Sequence, residues 1–222
     1  MVWSSMVQII PAIIAKDGID LRQKTDLVKP ITPLIQLDVM DGFFVPKSSF
    51  GEPQAVEQIK DVMWEIHLMV AKPSVVIDLW LGAENIQRLI FHYEAASAEK
   101  EMSEVLAKGK QAGKEIGLAL NLETDWRLIK KWLPQIDLAL LMSVAPGQAG
   151  QQFNPEVIPK IKDLRQAWLN GKIEVDGGIN LESAKKVVEA GANALAVGSF
   201  IFSGSEPPKN QIQKLKNKLK NL

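Results

Sequence analysis

The chain has 222 residues, 46% of them apolar, and its 26 Lys plus Arg are balanced by 26 Asp plus Glu. That length buries a sizeable core, while a formal net charge of zero gives no overall field to attract nucleic acid or an anionic membrane. Cysteine is absent, which excludes disulfides, thiolate nucleophiles, iron–sulfur clusters and Cys-type zinc sites together and points to a cytoplasmic setting.

Eight short apolar segments recur along the chain, over residues 8–14, 34–40, 63–70, 88–93, 116–122, 138–144, 172–176 and 194–199. Their starts are roughly 22 to 34 residues apart, the length of one strand-plus-helix unit. Helical stretches are expected between them, most clearly over 97–112, 124–133, 155–169 and 181–190, with Thr124 and Asn180 as N-caps. Residues 209–222 place Ile212, Leu215, Leu219 and Leu222 on one stripe among lysines, as expected of a closing outer helix. Eight such units predict a single (β/α)8 barrel domain spanning 1–222. The competing doubly wound sheet requires a Gly-x-Gly-x-x-Gly turn after the first strand, and Ile14-Ala-Lys-Asp-Gly-Ile supplies one glycine. The N-terminal residues Met-Val-Trp-Ser-Ser-Met-Val have neither a basic nor a long apolar region, and no run approaches the roughly 18 apolar residues of a membrane span.

In a barrel the functional face lies at the C-terminal ends of the strands. Strand alternation sends Gln36, Asp38 and Met40 one way and Ile35, Leu37 and Val39 the other. A carboxylate on a strand otherwise patterned for burial costs several kcal/mol unless compensated. The same parity groups Glu65, His67 and Met69 on the third strand and Glu174 with Asp176 on the seventh. Two carboxylates and a histidine at one rim suit a divalent metal or an acid/base pair on opposite sides of a substrate. His92 reads as a hydrogen-bonded core histidine and Asp41, before glycine, as an Asx-turn residue. On spacing alone Met40, Met69 and Met142 read as core. The glycine-containing segments after strands six, seven and eight, 144–151, 176–178 and 197–199, permit close backbone approach to a phosphate.

Read in order, Leu37-Asp-Val-Met-Asp-Gly-Phe-Phe-Val-Pro, Ile66-His-Leu-Met-Val, Phe91-His-Tyr-Glu-Ala, Leu141-Met-Ser-Val-Ala-Pro-Gly and Glu174-Val-Asp-Gly-Gly-Ile-Asn resemble the signatures of the ribulose-phosphate 3-epimerase family, from about Ile9 to Phe202. The resemblance implies a TIM barrel of the ribulose-phosphate-binding type that interconverts D-ribulose 5-phosphate and D-xylulose 5-phosphate through an enediolate stabilised by a divalent metal (Zn, Fe or Mn). It implies Asp38 and Asp176 as the proton-transfer pair, and Asp38, His67 and Asp176 as metal ligands. It places Met40, Met69 and Met142 against the reacting centre, and Gly147, Gly150, Gly177, Gly178, Gly198 and Ser199 around the phosphate. It also implies a homo-oligomer. The chain departs from the family pattern at Gln36, where a fourth ligand, histidine, is expected; at Ala12, in place of serine; and at Ala149, in place of a glycine, a position that would be strained at positive φ. An amide oxygen at Gln36 suits harder cations such as Mn2+ better than an imidazole does. Two other readings follow from these departures: a phosphosugar-binding barrel without a metal, and an epimerase for a related ketose phosphate. An orotidine-monophosphate decarboxylase relative would need an Asp-x-Lys-x-x-Asp motif, which Asp38-Val-Met-Asp does not supply.

Overall fold

A computed structural model describes residues 7–96 and 98–220. Eight parallel strands, β1 (Gln8–Ile13), β2 (Leu34–Met40), β3 (Met63–Met69), β4 (Ile86–His92), β5 (Glu115–Leu120), β6 (Leu138–Met142), β7 (Lys172–Asp176) and β8 (Ala194–Val197), close into a barrel in sequence order, with β1 paired to β8. The connecting helices are α1 (Gly18–Val28), α2 (Pro53–Glu57), α3 (Pro73–Leu81), α4 (Glu99–Gln111), α5 (Val157–Ala167), α6 (Leu181–Ala190), α7 (Ser199–Phe202) and α8 (Pro208–Leu219). Full closure leaves no unpaired sheet edge, and with helices outside, each strand is buried on both faces.

Strand parity divides the core in two. Outward residues such as Leu37, Ile66, Leu68, Phe91, Leu141 and Val175 pack with helix residues including Ile77, Trp80, Ile161 and Val187 in one continuous apolar layer. Inward residues fill the barrel itself. Ile10, Leu34 and Ala194 meet near its N-terminal end, and Ile90, Ala119, Leu138, Leu140 and Met142 fill one side. The remaining interior is polar, built from Gln36, Asp38, Glu65, His67, Arg88, His92 and Glu174, all buried.

Several sequence expectations change at this level. The segment read as a helix over 124–133 is a 3-10 helix, Trp126–Trp132, in which Trp126, Ile129 and Trp132 are buried. A spacing of three puts all three on one face of a 3-10 turn, where an α-helix would splay them. Its cap is Asp125, whose side chain accepts from the Arg127 N–H, and not Thr124. β4 begins at Ile86, so Arg88 lies inside the strand. Asn180 caps α6 as expected, accepting from the N–H groups of Glu182 and Ser183 while Ser183 closes a capping box. Helix α8 closes the outer layer, burying Ile212, Leu215 and Leu219. Leu222, Ser97 and residues 1–6, on which the stripe, one helix start and the N-terminal reading partly rested, lie outside the described residues. Among the described residues no helix is long and apolar enough to cross a membrane.

Candidate active site

The parallel register sets Asp38 beside His67, Met40 beside Met69 and Gln36 beside Ala12. It also sets Asp176 beside Met142. Closure of the barrel then carries Asp176 from β7 toward the β2 group. The Gln36 Nε2 donates to Asp38 Oδ1 at 2.7 Å and to Asp176 Oδ2 at 3.1 Å. His67 Nδ1 lies 3.2 Å from Asp38 Oδ1 and 3.6 Å from Asp176 Oδ2. Two carboxylates therefore share two donors at the mouth end of the barrel.

The electrostatics follow from burial. Removal from water pushes the Asp38 carboxyl up, reinforced by the Asp176 charge and opposed by the hydrogen bonds from His67 and Gln36. For His67 burial works toward the neutral ring, but the hydrogen bonds and charges of Asp176 and Asp38 outweigh it and raise its pKa to about 9. His92 lies behind His67, with Nε2 atoms 2.9 Å apart. Burial, together with the neighbouring His67, holds His92 neutral, its pKa lowered to about 4 despite Glu94.

Asp38, His67 and Asp176 offer ligand atoms within 4.8 Å of one another, a spacing open to a metal ion. Gln36 adds a distinctive feature: its Oε1 is buried with no hydrogen-bond partner among the described residues, while its NH2 spans the carboxylates. An amide turned end for end would offer oxygen to a cation at the same point. Two carboxylates, one imidazole nitrogen and an amide oxygen form a coherent, oxygen-rich donor set, so the residues present fit a divalent ion.

Above this group opens a cavity of about 300 Å³ lined by Ala12, Asp38, Met69, Met142, Asp176 and the glycine segments. Gly147, Gly150, Gly177, Gly178, Gly198 and Ser199 all border it. Gly178 sits at φ +59°, and a Cβ there would come within 2.4 Å of the Phe153 backbone nitrogen, so the loop is shaped for the bare glycine. Ala149 does not have a positive φ; the turn places that conformation on Gly147 and Gly150 on either side, so the strain expected at Ala149 is absent. Met40 departs from its expected place. It packs with Val45, Met69, Ile14 and Phe44 beside the mouth, and the cavity wall is formed by Met69 and Met142. Asp41 is the expected turn residue, accepting from the N–H groups of Phe43 and Phe44 and also from Ala71.

Three participants were not singled out from sequence. Arg88 lies beneath the site, fully buried; it donates to Glu65, pairs with Glu115 Oε2 at 2.6 Å and faces Glu174 Oε2 at 3.7 Å. Glu65 and Glu174, grouped by parity with the site histidine and aspartate, thus serve Arg88. Burial raises both of their pKa values, that of Glu174 well above the usual range with the Glu65 charge adding to it. Strand parity through Ile90 and His92 was the signal for Arg88, which the 88–93 segment held as its first residue. Glu94, behind His92, stood inside the Phe91-His-Tyr-Glu-Ala signature without a role of its own, and Lys24, a cavity-lining cation held by Asp20 Oδ2 and the Ile14 carbonyl, carries no sequence signal.

A closed (β/α)8 barrel with a carboxylate–histidine group at the strand ends and glycine segments after β6, β7 and β8 defines a class of phosphate-binding barrel enzyme. The family model described as "Ribulose-phosphate 3 epimerase family" matches residues 8–202. A ribulose-phosphate 3-epimerase of Chlamydia muridarum is 39% identical over 208 residues, 88% of each chain. That of Bacillus subtilis is 36% identical over 212 residues, 92% of this chain and 96% of its own. The chain belongs to the ribulose-phosphate 3-epimerase family, and so to the isomerases. Among solved structures, KGPDC from Streptococcus mutans superposes with a TM-score of 0.79 at 14% identity, covering 98% of this chain and 99% of that one, a likeness of fold.

Proposed function

We propose that the chain is a single-domain cytoplasmic enzyme that interconverts D-ribulose 5-phosphate and D-xylulose 5-phosphate by moving a proton at C3. The observation that carries this reading is the meeting of Asp38 from β2 and Asp176 from β7 on one pair of donors, Gln36 and His67, at the floor of the cavity. Inversion at a carbon requires one group to remove the proton and a second to return one from the opposite face. Two carboxylates carried by separate strands meet that requirement, and each serves as base in one direction and acid in the other. The raised pKa of Asp38 suits a group that must hold a proton part of the time. In the metal-free protein His67 and the Gln36 NH2 keep the remaining negative charge oriented.

The glycine segments around Gly147, Gly150, Gly177, Gly178, Gly198 and Ser199 receive the phosphate, which holds the sugar with its C3 over the floor; Ala12, Met69 and Met142 exclude water around it. Asp38, His67 and Asp176, with the Gln36 amide oxygen, would hold a divalent ion, Mn2+ or Fe2+ in preference to Zn2+ given the oxygen-rich donors. When bound, the ion supplies Lewis-acid stabilisation of negative charge developing on the substrate oxygens.

The test is a coupled epimerase assay run with Mn2+, Fe2+ and Zn2+, together with incorporation of solvent deuterium at C3. Asp38→Asn and Asp176→Asn should each lower kcat by about 100-fold or more, the usual worth of a positioned acid or base. Full turnover in either variant would remove that residue from the chemistry. Phosphosugar binding without turnover under every metal would replace this reading with the non-catalytic one that Gln36 and Ala12 raise.

A further inference from the structure

The polar interior does not end at His67. Strand β4 finishes at His92, and the 3-10 turn Tyr93–Ala95 that follows carries Glu94 back toward it. The His67 and His92 rings lie nearly parallel, 20° apart, with 2.9 Å between their Nε2 atoms. At that distance the two nitrogens share one hydrogen, so one ring donates and the other accepts. On its far side His92 Nδ1 faces Glu94 Oε2 at 3.4 Å, and among the described residues neither atom has a hydrogen-bond partner. The other oxygen of Glu94 is fixed by the Asn121 N–H at 2.8 Å and by the Thr124 hydroxyl.

The order of donors follows. A carboxylate only accepts, so the hydrogen of a neutral His92 belongs on Nδ1. Its Nε2 then presents a lone pair and takes the hydrogen on Nε2 of His67. A His67 with hydrogen on Nε2 keeps Nδ1 for the Asp38 and Asp176 side, where it carries a hydrogen to the carboxylates in the metal-free protein and would turn a lone pair to a bound cation.

We infer that Glu94 and His92 are positioning residues that set the tautomer of His67, directing its Nδ1 lone pair toward a cation held with Asp38 and Asp176. This rests on the proposed metal-dependent reading, because a lone pair on Nδ1 has a use only where a cation sits. Hydrogen-bonded partners behind a ligating imidazole raise its basicity and fix its ring, and their loss typically weakens metal binding about 10- to 100-fold.

The chain has two histidines, so 15N-histidine labelling gives a spectrum of two imidazoles. Wild-type His92 is expected to show hydrogen on Nδ1 and a bare Nε2 at neutral pH. Glu94→Ala should lose that signature and weaken Mn2+ binding, followed by calorimetry, by about 10- to 100-fold. Glu94→Gln keeps an accepting oxygen and should restore both. Thr124→Val, which removes only a partner of the other Glu94 oxygen, should keep the His92 tautomer. Hydrogen on Nε2 of wild-type His92, or a Glu94→Ala protein with unchanged tautomer and Mn2+ affinity, would overturn the inference. If wild-type protein takes up no Mn2+, the metal reading fails, while the wild-type spectrum still decides the order of hydrogens and so the relay itself.

Discussion

The Gln36 amide nitrogen stands 3.1 Å from Asp176 Oδ2, joining β2 to β7 across 140 residues of chain. Because the same nitrogen donates to Asp38, one side chain links the two carboxylates, and its oxygen is left buried and unpartnered. Gln36→Leu removes both the donor and the oxygen, and Mn2+ binding should weaken by about 10-fold or more. Gln36→His supplies imidazole and should move preference toward Zn2+. Competition calorimetry with Mn2+ and Zn2+ reads both; unchanged preference in Gln36→His would show that position 36 does not reach the ion.

Arg88 answers to three carboxylates below the site, two of which, Glu65 and Glu174, are as fully buried as Arg88 itself. Removing the cation leaves buried carboxyl groups without their charge partner. Arg88→Leu should cost about 3–5 kcal/mol of stability in urea denaturation. Adding Glu65→Gln and Glu174→Gln to it should recover much of that loss, since an uncharged cluster has less to desolvate. A single variant as stable as wild type would mean that the carboxyls are held neutral by sharing protons, without need of the arginine.

These two groups also show where sequence reading succeeds. Alternation along β2, β3 and β7 placed Gln36, Asp38, His67 and Asp176 inside the barrel, and eight regular repeats gave its strand count, because both signals are local and periodic. What the period leaves open is which inward residues meet across the lumen. Glu65 and Asp176 both lie on the inward face of their strands, yet one serves Arg88 and the other the cavity floor, a difference of height along the barrel axis set by register and stagger. Glu94 lies beyond the end of its strand, where alternation says nothing. The 3-10 turn at Trp126–Trp132 was hidden for a related reason: a spacing of three reads as helix until the turn tightens around it.

The pKa of His67 gives a pH dependence of defined sign in the metal-free protein. Its carboxylate neighbours raise the pKa from 6.5 to about 9, so the folded chain holds this proton more tightly than the unfolded chain does. The resulting stabilisation is present in full below about pH 6.5 and is lost as the pH rises through about 9. The loss should be on the order of 3 kcal/mol. Urea melts in the presence of chelator, run from about pH 6 to about pH 10 to bracket that window, should show a slope that His67→Gln flattens. Parallel curves for the two proteins would mean that His67 is neutral in the metal-free site.

The glycine at 178 offers a separation of binding from chemistry. Its φ of +59° is a left-handed conformation, and an added Cβ would meet the Phe153 backbone at 2.4 Å from N and 2.6 Å from Cα. Neither atom belongs to a flexible side chain, so Gly178→Ala must displace the segment around Phe153 or the loop after β7 itself. Overpacking of this kind costs about 1–3 kcal/mol of stability. Displacing a backbone donor from a charged phosphate costs roughly 1.5–3 kcal/mol more in binding, so KM should rise by about 10-fold or more. With Asp38 and Asp176 proposed to act at the other end of the substrate, kcat should change much less. Gly113→Ala, in the turn after α4 and away from the cavity, is the control: it too has positive φ, at +68°, but nothing lies within 4 Å of its added Cβ, so it meets strain without collision. Its KM should stay close to wild type. Equal effects of the two substitutions on KM would mean that backbone strain, and not displacement of the loop after β7, weakens binding, and a fall in kcat alone for Gly178→Ala would mean that this loop aligns the reacting carbon and does not chiefly hold the phosphate.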